Sequence, residues 1–289
     1  MLRGIHVPLV TPFTPEGEVA ADAVEKLAGQ VLDEGAAGLV ALGTTGEVAA
    51  LDPEERALVV ETCARVCARR GALLTVGVSG SDTRSTAREL HRLPSGVGAA
   101  LVTVPSFLRP GERGVVAHVE ALAERTPVPL VIYHIPYRTG QPVSAATLRR
   151  LGEHPMVAGV KYAAGGLDQD AIDLLREPPE GFAVLGGDDL FISPLLALGA
   201  AGGVLASAHL RTREFVALAD AWRAGDAARA RPLGHRLAGL SAALFAEPNP
   251  AVLKGVLHAR GLVPTPDVRL PLLPASPEAV ARAVALSAP

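Results

Sequence analysis

Eight short apolar segments recur along the chain, and amphipathic helical patterns separate them. The segments are rich in Val, Leu and Ala without polar alternation, which is typical of parallel strands covered on both faces. Because strand and helix patterns alternate throughout, the sequence predicts an α/β protein with a (β/α)8 TIM barrel. The predicted strands are residues 5–10, 38–42, 73–78, 99–104, 130–133, 157–160, 183–185 and 203–206.

The main alternative fold is a doubly wound open sheet, which the sequence disfavours because no Gly-x-Gly-x-x-Gly follows the first segment. Helix starts are also recognisable. Asp52-Pro53-Glu54-Glu55 combines an N-cap residue, a proline at the first helical position and two acids in the first turn. Asp82, Ser144 and Asp188 are further candidate N-caps. Residues 79–98 leave little room between two strands, so we predict a short third helix.

The strand pattern stops before residue 225, and the remainder of the chain is helical. Residues 226–246, 250–260 and 277–287 are predicted helices, joined by turns that contain proline. No flexible linker precedes them. We therefore predict a barrel over residues 1–224 and a C-terminal helical region over residues 225–289 that packs on the barrel.

Composition limits the classes of partner. The longest apolar runs are far shorter than the ~20 residues that cross a bilayer, and the N-terminus lacks the pattern of a secretory signal. The net charge is −3, and no basic stripe is interleaved with aromatic residues, which disfavours nucleic acid. We interpret Cys63 and Cys67, one helical turn apart, as structural rather than as a metal or redox pair. We expect a cytoplasmic, soluble protein with neither a membrane nor a nucleic-acid partner.

Lysine is scarce in this chain, since only Lys26, Lys161 and Lys254 occur among 27 basic residues. Lys161 ends an apolar segment, where a charged amine is poorly solvated and the neutral, nucleophilic amine is favoured. The alternative is a lysine that extends from the strand end into solvent. If Lys161 faces the barrel interior, Tyr162 should pack against the helices, because strand residues alternate between faces. Lys26 and Lys254 lie in helical patterns, and we interpret them as solvated or packing residues.

Two other predicted strand ends carry groups suited to binding an acid. In Gly43-Thr44-Thr45-Gly46-Glu47 two glycines flank two hydroxyls, an arrangement that suits a small carboxylate, although an ordinary turn is the alternative. Tyr133 can transfer a proton and Arg138 can bind a second carboxylate, or they are a packed tyrosine and a surface arginine. The histidines are dispersed without HxH or HExxH spacing, so we expect no metal and no other cofactor.

Together these motifs resemble the dihydrodipicolinate synthase / N-acetylneuraminate lyase family of class I pyruvate-dependent aldolases. The resemblance covers nearly the whole chain, and the order and spacing of the motifs make it specific. It rests on Val10-Thr11-Pro12-Phe13, Gly43-Thr44-Thr45-Gly46-Glu47, Tyr133 with Pro136 and Arg138-Thr139-Gly140, Gly159-Val160-Lys161, Gly186-Gly187-Asp188-Asp189, Asn249-Pro250 and Arg269-Leu270-Pro271-Leu272.

The resemblance implies a mechanism without a metal, in which Lys161 forms a Schiff base with pyruvate. Thr44 and Thr45 would bind the pyruvate carboxylate, with Thr44 also counted among the catalytic residues. Backbone groups near Gly187 and Val204 would line the pocket. Tyr133 would relay protons while the imine becomes an enamine, which attacks an aldehyde or forms in the reverse cleavage.

Arg138 and Asn249-Pro250 resemble the synthase branch of the family, which implies that pyruvate condenses with aspartate semialdehyde. One position departs from that branch. Where the synthases have a second tyrosine that completes a hydroxyl relay across a subunit interface, this chain has Phe107. Loss of such a relay group typically costs ~10²–10⁴ in rate. Ser106 and Tyr137 are candidate substitutes for the missing hydroxyl.

Two other functions remain open on these residues. One is a pyruvate aldolase that cleaves a 2-keto-3-deoxy sugar acid or 4-hydroxy-2-oxoglutarate, for which Arg138 would still bind an acid-bearing aldehyde. The other is a catalytically impaired member of the family that binds a keto acid as a sensor or scaffold. For the assembly, the resemblance implies a homotetramer or a homodimer, with Phe107 near an interface.

Overall fold

The structure is a computed structural model that describes residues 2–78 and 80–287. Within these residues eight strands pair in chain order, and the parallel sheet closes into a barrel. The predicted (β/α)8 fold is therefore confirmed. The strands are β1 (Gly4–Pro8), β2 (Gly38–Ala41), β3 (Leu73–Val78), β4 (Ala99–Thr103), β5 (Leu130–His134), β6 (Val157–Tyr162), β7 (Ala183–Gly186) and β8 (Gly202–Val204).

The helices alternate with the strands as predicted, and the three C-terminal helices are also present. The third helix has eight residues, in agreement with the short segment available to it. The helices are α1 (Ala21–Asp33), α2 (Pro53–Arg70), α3 (Thr83–Leu90), α4 (Gly111–Ala123), α5 (Pro136–Thr139), α6 (Ala145–Gly152), α7 (Gln169–Arg176), α8 (Ile192–Ala197), α9 (Ala208–Arg223), α10 (Ala227–Leu244), α11 (Ala251–Ala259) and α12 (Pro277–Leu286).

Strand ends differ from the predictions by a few residues, and the structure explains two of these differences. β2 ends before Leu42 because that residue adopts a left-handed φ of 55°. β6 continues through Lys161 to Tyr162, so the lysine lies within the strand rather than after it. The reason is that the hydrogen-bonded ladder with β5 extends to the pair His134 and Tyr162.

Side-chain caps begin most of the helices that the sequence marked. Asp52 accepts a hydrogen bond from the Glu55 amide at 2.8 Å, and the Glu55 carboxylate accepts one from the Asp52 amide at 3.0 Å. Asp82 and Ser144 also cap their helices, as predicted. The prediction for Asp188 is wrong, because its side chain makes no capping hydrogen bond.

The described residues form two compact units, and each unit has its own apolar core. One unit holds Thr75–Val204 and the chain up to Gly4, and its core joins β4, β5 and β6 to α4, α6 and α7. The other holds Ile5–Leu74 and the chain from Leu205 onward, and in its core residues of α10, α11 and α12 pack with Leu27 of α1. The predicted domain boundary after residue 224 stays a prediction.

No helix in the described part of the chain is long and apolar enough to cross a membrane. Both cysteines lie buried on α2 as free thiols. Burial raises the pKa of Cys63 to about 12 and that of Cys67 to about 11. Because metal ligation and disulfide exchange need the thiolate, these values support the structural interpretation of the pair.

A buried histidine makes the stability of the protein depend on pH. Burial lowers the pKa of His134 from 6.5 to about 4, and the ring packs 5.0 Å from that of Tyr162. Between these pH values the unfolded chain binds a proton that the folded protein does not, so stability falls as the pH falls from about 6.5 to 4. One such proton contributes at most about 1.4 kcal/mol per pH unit.

We predict that His134→Phe reduces this slope while it keeps a ring against Tyr162. Urea unfolding at pH 7 and pH 5 measures the change. Part of the slope should persist, because burial also lowers the pKa of His209 to about 4. An unaltered slope in the variant would show that His134 is protonated in the folded state.

Candidate active site

The ends of β5 and β6 bring two of the predicted catalytic residues together. Tyr133 and Lys161 are partners in the ladder between these strands. Lys161 is 5 % exposed, and its Nζ lies 4.3 Å from the centroid of the Tyr133 ring. The alternative in which this lysine extends into solvent is therefore wrong, and the amine is held against a phenol ring at the strand ends.

Tyr162 lies on the other face of β6, as the alternation of strand residues predicts. It is fully buried in the core with residues of α6 and α7. Its hydroxyl donates a hydrogen bond of 2.6 Å to Asp168, which also accepts from the Ala171 amide as the cap of α7. Burial and this carboxylate raise the pKa of Tyr162 well above its usual range. Tyr162 therefore anchors the strand beside the lysine rather than taking part in chemistry.

Gly187 leaves the space that the Lys161 side chain occupies. Its amide donates a hydrogen bond of 2.7 Å to the Tyr162 carbonyl oxygen, which places its Cα beside the lysine. A Cβ at residue 187 would lie 2.9 Å from both Cγ and Cε of Lys161, and equally close to Cβ of Ala163. Glycine is thus required here by contact, and its place in lining the substrate pocket stays a prediction.

Asp188 is a neighbour of the lysine that the sequence analysis missed as a site residue. Instead of capping a helix, its carboxylate accepts a hydrogen bond of 2.7 Å from the Gly165 amide. Burial raises the pKa of Asp188, and the positive charge of Lys161 opposes this shift. The Gly-Gly-Asp-Asp motif was the available signal, but it was interpreted as a helix start.

Arg138 and Tyr137 lie on α5, the single helical turn that follows β5. Both side chains are exposed, and the Tyr137 hydroxyl interacts with Arg138. No carboxylate of residues 2–78 or 80–287 forms an ion pair with Arg138, so its guanidinium is available to an acid. Burial of part of its ring, together with Tyr133 and Asp188, raises the pKa of Tyr137. Its hydroxyl therefore keeps its proton near neutral pH, close to Tyr133.

The segment after β4 carries Phe107 into solvent. Phe107 is 92 % exposed and Leu108 62 % exposed. Phe107 and Arg109 both adopt left-handed φ values, 70° and 47°, which are unfavourable for residues with side chains. The partly buried Ser106 forms no side-chain hydrogen bond within the described residues. Tyr137, the other candidate relay substitute, interacts electrostatically with Tyr133.

In the other unit, the turn after β2 holds the two threonines. Thr44 begins a short 3-10 turn and is partly exposed, whereas Thr45 is buried. The Asn249 side-chain amide donates a hydrogen bond of 3.0 Å to Oγ1 of Thr45. Gly46 passes so close to the first strand that a Cβ there would lie 3.0 Å from the Leu9 carbonyl oxygen. The second glycine of the motif is therefore needed for close packing.

The structure also places Val204 and Lys254, two further residues that were interpreted from the sequence. Val204 is buried at the end of β8, and its place beside the substrate stays a prediction. The interpretation of Lys254 as a solvated residue is wrong, and the alternative of a packed residue fits its burial. Its side chain is fully buried, and Nζ lies 2.8 Å from Oε1 of Glu47. Periodicity alone gave no signal for this pair, because the two residues are 207 positions apart.

Comparisons with known proteins show which family this chain is similar to. A model of the dihydrodipicolinate synthetase family matches residues 1–286. The 4-hydroxy-tetrahydrodipicolinate synthase of Moorella thermoacetica is 38% identical over 280 residues, which are 95% of this chain and 93% of the relative. A synthase of the same name from Clostridium acetobutylicum, its number 2, is 34% identical over 95% of this chain and 96% of its own.

Among solved structures, the chloride-inhibited dihydrodipicolinate synthase of Acinetobacter baumannii, in complex with pyruvate, superposes with a TM-score of 0.93. It is 31% identical in sequence, and the match covers 99% of both chains. The likeness therefore includes the strand ends at which Tyr133 and Lys161 lie.

The contact at Gly187 gives a testable consequence. We predict that Gly187→Ala displaces the Lys161 side chain and slows imine formation with pyruvate by about 10²-fold, the typical cost of a misplacement near 1 Å. Gly239→Ala on α10 is the matched control, because a Cβ there meets no atom within 4 Å. Stopped-flow rates of imine formation test this, and equal rates in the two variants would contradict it.

Proposed function

The chain belongs to the dihydrodipicolinate synthetase family, and from this we propose that it condenses pyruvate with aspartate semialdehyde through a Schiff base on Lys161. The observation that carries the proposal is the lysine amine held out of water at the end of β6, 4.3 Å from the Tyr133 ring centroid. A buried amine that forms no ion pair with a carboxylate of the described residues suits attack on a carbonyl.

In the proposed reaction, Nζ of Lys161 attacks the keto carbon of pyruvate and water leaves, which forms an imine. The imine draws electrons from the neighbouring methyl group, so a proton departs and an enamine forms. The enamine carbon then attacks the aldehyde carbon, and the aldehyde oxygen takes up a proton. Finally, water or the amine of the second substrate displaces Lys161, which restores the free amine.

Tyr133 is the proposed proton relay in these steps. Its ring contacts the lysine amine, so its hydroxyl is within a few ångströms of the atoms that gain and lose protons. Thr44 and Thr45 are proposed to bind the pyruvate carboxylate through their hydroxyl and amide donors. Backbone groups near Gly187 and Val204 are proposed to line the pocket, and no metal or other cofactor is required for this chemistry.

Arg138 is the proposed partner of the second substrate. Its exposed guanidinium forms no ion pair with a described carboxylate and can bind a carboxylate through two parallel hydrogen bonds. This favours an acid-bearing aldehyde, of which aspartate semialdehyde fits the names of the relatives. Phe107 favours a second candidate, an aldolase for a 2-keto-3-deoxy sugar acid or 4-hydroxy-2-oxoglutarate, because the ring brings no hydroxyl.

We further propose that the protein assembles as a homotetramer or a homodimer. Phe107 and Leu108 are adjacent, apolar and both exposed in the single chain. Exposed apolar side chains of this size are favourably covered by a partner. A second copy that covers this turn would also bring its own groups close to Phe107.

Turnover distinguishes the candidate functions. We predict that the enzyme consumes aspartate semialdehyde with pyruvate at least ten times faster than it cleaves either hydroxy-keto acid, measured as kcat/KM. Lys161→Met should remove the activity, whereas Lys26→Met on α1 should retain it. Faster cleavage of a hydroxy-keto acid would support the aldolase. Pyruvate binding without turnover of any substrate would support the impaired sensor or scaffold.

The missing hydroxyl at residue 107 gives a prediction about loss and partial recovery of the catalytic rate. Because Tyr137 lies close to Tyr133, Tyr137→Phe should lower kcat with aspartate semialdehyde about 10²-fold if it replaces the relay group. Phe107→Tyr in that background should restore part of the rate. Steady-state kinetics measures both variants. Unchanged turnover in Tyr137→Phe would show that Tyr137 is not the substitute.

A further inference from the structure

The second buried lysine has no part in the proposed chemistry, yet it is the most completely enclosed charge in its unit. Lys254 on α11 donates hydrogen bonds of 2.8 Å to the Glu47 carboxylate and to the Thr11 carbonyl oxygen. Its Nζ also lies 4.0 Å from the centroid of the Phe13 ring. Burial of an ion pair costs free energy unless each charge has a partner. The buried pair of Lys254 and Glu47 therefore needs a physical explanation.

Glu47 is the residue that ends the threonine turn. It adopts the left-handed conformation, with φ 56° and ψ 33°, which is strained for a residue with a side chain. Both carboxylate oxygens are engaged, one by Lys254 and the other by the Arg269 amide at 2.8 Å. The ion pair and this amide therefore hold the chain reversal that directly follows Thr44-Thr45-Gly46.

The segment that follows β1 contacts the same turn from its other side. The Thr11 hydroxyl donates a hydrogen bond of 2.8 Å to the Gly46 carbonyl oxygen. The carbonyl oxygen of the same residue accepts from Lys254, so one threonine connects the lysine to the turn. The position of Thr45 is thus set by contacts on the two residues that follow it, Gly46 and Glu47.

Asn249 determines which way the Thr45 hydroxyl donates. Its amide donates to Oγ1 of Thr45, so that oxygen already acts as an acceptor. A hydroxyl has one proton to donate, and no acceptor for the Thr45 proton occurs within residues 2–78 and 80–287. A buried hydroxyl whose proton has no acceptor can still donate a hydrogen bond, and a substrate carboxylate would accept it.

We propose that Lys254, Glu47 and Asn249 are positioning residues for the substrate carboxylate. The buried ion pair holds the turn in its left-handed conformation, and Asn249 directs the Thr45 proton toward the bound acid. This inference depends on the proposed function, because it requires Thr45 to bind the carboxylate of pyruvate.

A positioning role makes a kinetic prediction that a purely structural role does not. A carboxylate contact is made equally in the bound substrate and in the transition state, so its loss raises KM for pyruvate and leaves kcat nearly unchanged. Replacement of Lys254 alone would leave the Glu47 charge buried and unpaired, which is strongly destabilising. The pair is therefore removed together, in Glu47→Gln with Lys254→Met.

For this double variant we expect KM for pyruvate to rise about 10-fold or more, with kcat within about threefold of the parent, since a hydrogen bond to a charged group is at stake. Leu240→Ala is the matched control for lost stability, because Leu240 is buried on α10 in the same core as α11 and is not part of the turn. It should lower Tm and leave KM unchanged. An equal rise of KM in the control, or none in the double variant, overturns the role of the ion pair.

Asn249 is tested by a double-mutant cycle that does not depend on the ion-pair variant folding. Asn249→Ala should raise KM for pyruvate in the parent protein but cause no further rise in the Thr45→Val background, because it acts through that hydroxyl. Independent, multiplying effects would overturn the role of Asn249. If Thr45→Val itself leaves KM unchanged, the proposed carboxylate site is wrong and the positioning proposal fails with it. If Thr45→Val raises KM for pyruvate but Asn249→Ala and the ion-pair double variant do not, only the positioning proposal is overturned.

Discussion

The pairing register between β5 and β6 determines whether this molecule has an active site. The ladder sets Tyr133 opposite Lys161 on one face and His134 opposite Tyr162 on the other. A slip of one residue would exchange the two faces, moving the lysine into the core among the helices and the phenol of Tyr162 into the site. The buried hydrogen bond from Tyr162 to Asp168 opposes that slip, because only the observed register brings the two groups together.

The two buried lysines show how partners decide the role of an amine. Lys254 is matched by a carboxylate and a carbonyl oxygen, so its charge is held in place. Lys161 is also buried, but no carboxylate among the described residues forms an ion pair with it, and its Nζ lies 4.3 Å from the centroid of an aromatic ring. An amine in the second environment gains more from forming a neutral bond to carbon than one in the first. In a chain that uses arginine for nearly all of its positive charges, each of these two buried lysines has a distinct physical reason to be present.

Much of the fold could be predicted from the sequence because its signals are local. Unbroken Val, Leu and Ala segments marked the parallel strands, and Asp52 with Glu55 marked a capped helix. Lys161 and Tyr133 could be found because residues at strand ends of this fold carry chemistry. Lys254 could not, because a helical pattern looks the same whether a lysine faces water or a carboxylate 207 positions away. Asp188 was misassigned since a cap and a side chain that binds a neighbouring loop share one local pattern.

Chemical trapping can detect the proposed imine between Lys161 and pyruvate. Borohydride reduction in the presence of pyruvate, followed by peptide mass analysis, should place a stable pyruvyl adduct on the peptide that contains Lys161. The peptides that contain Lys26 and Lys254 should remain unmodified. Absence of an adduct, or an adduct on either of the other two lysines, would contradict the account.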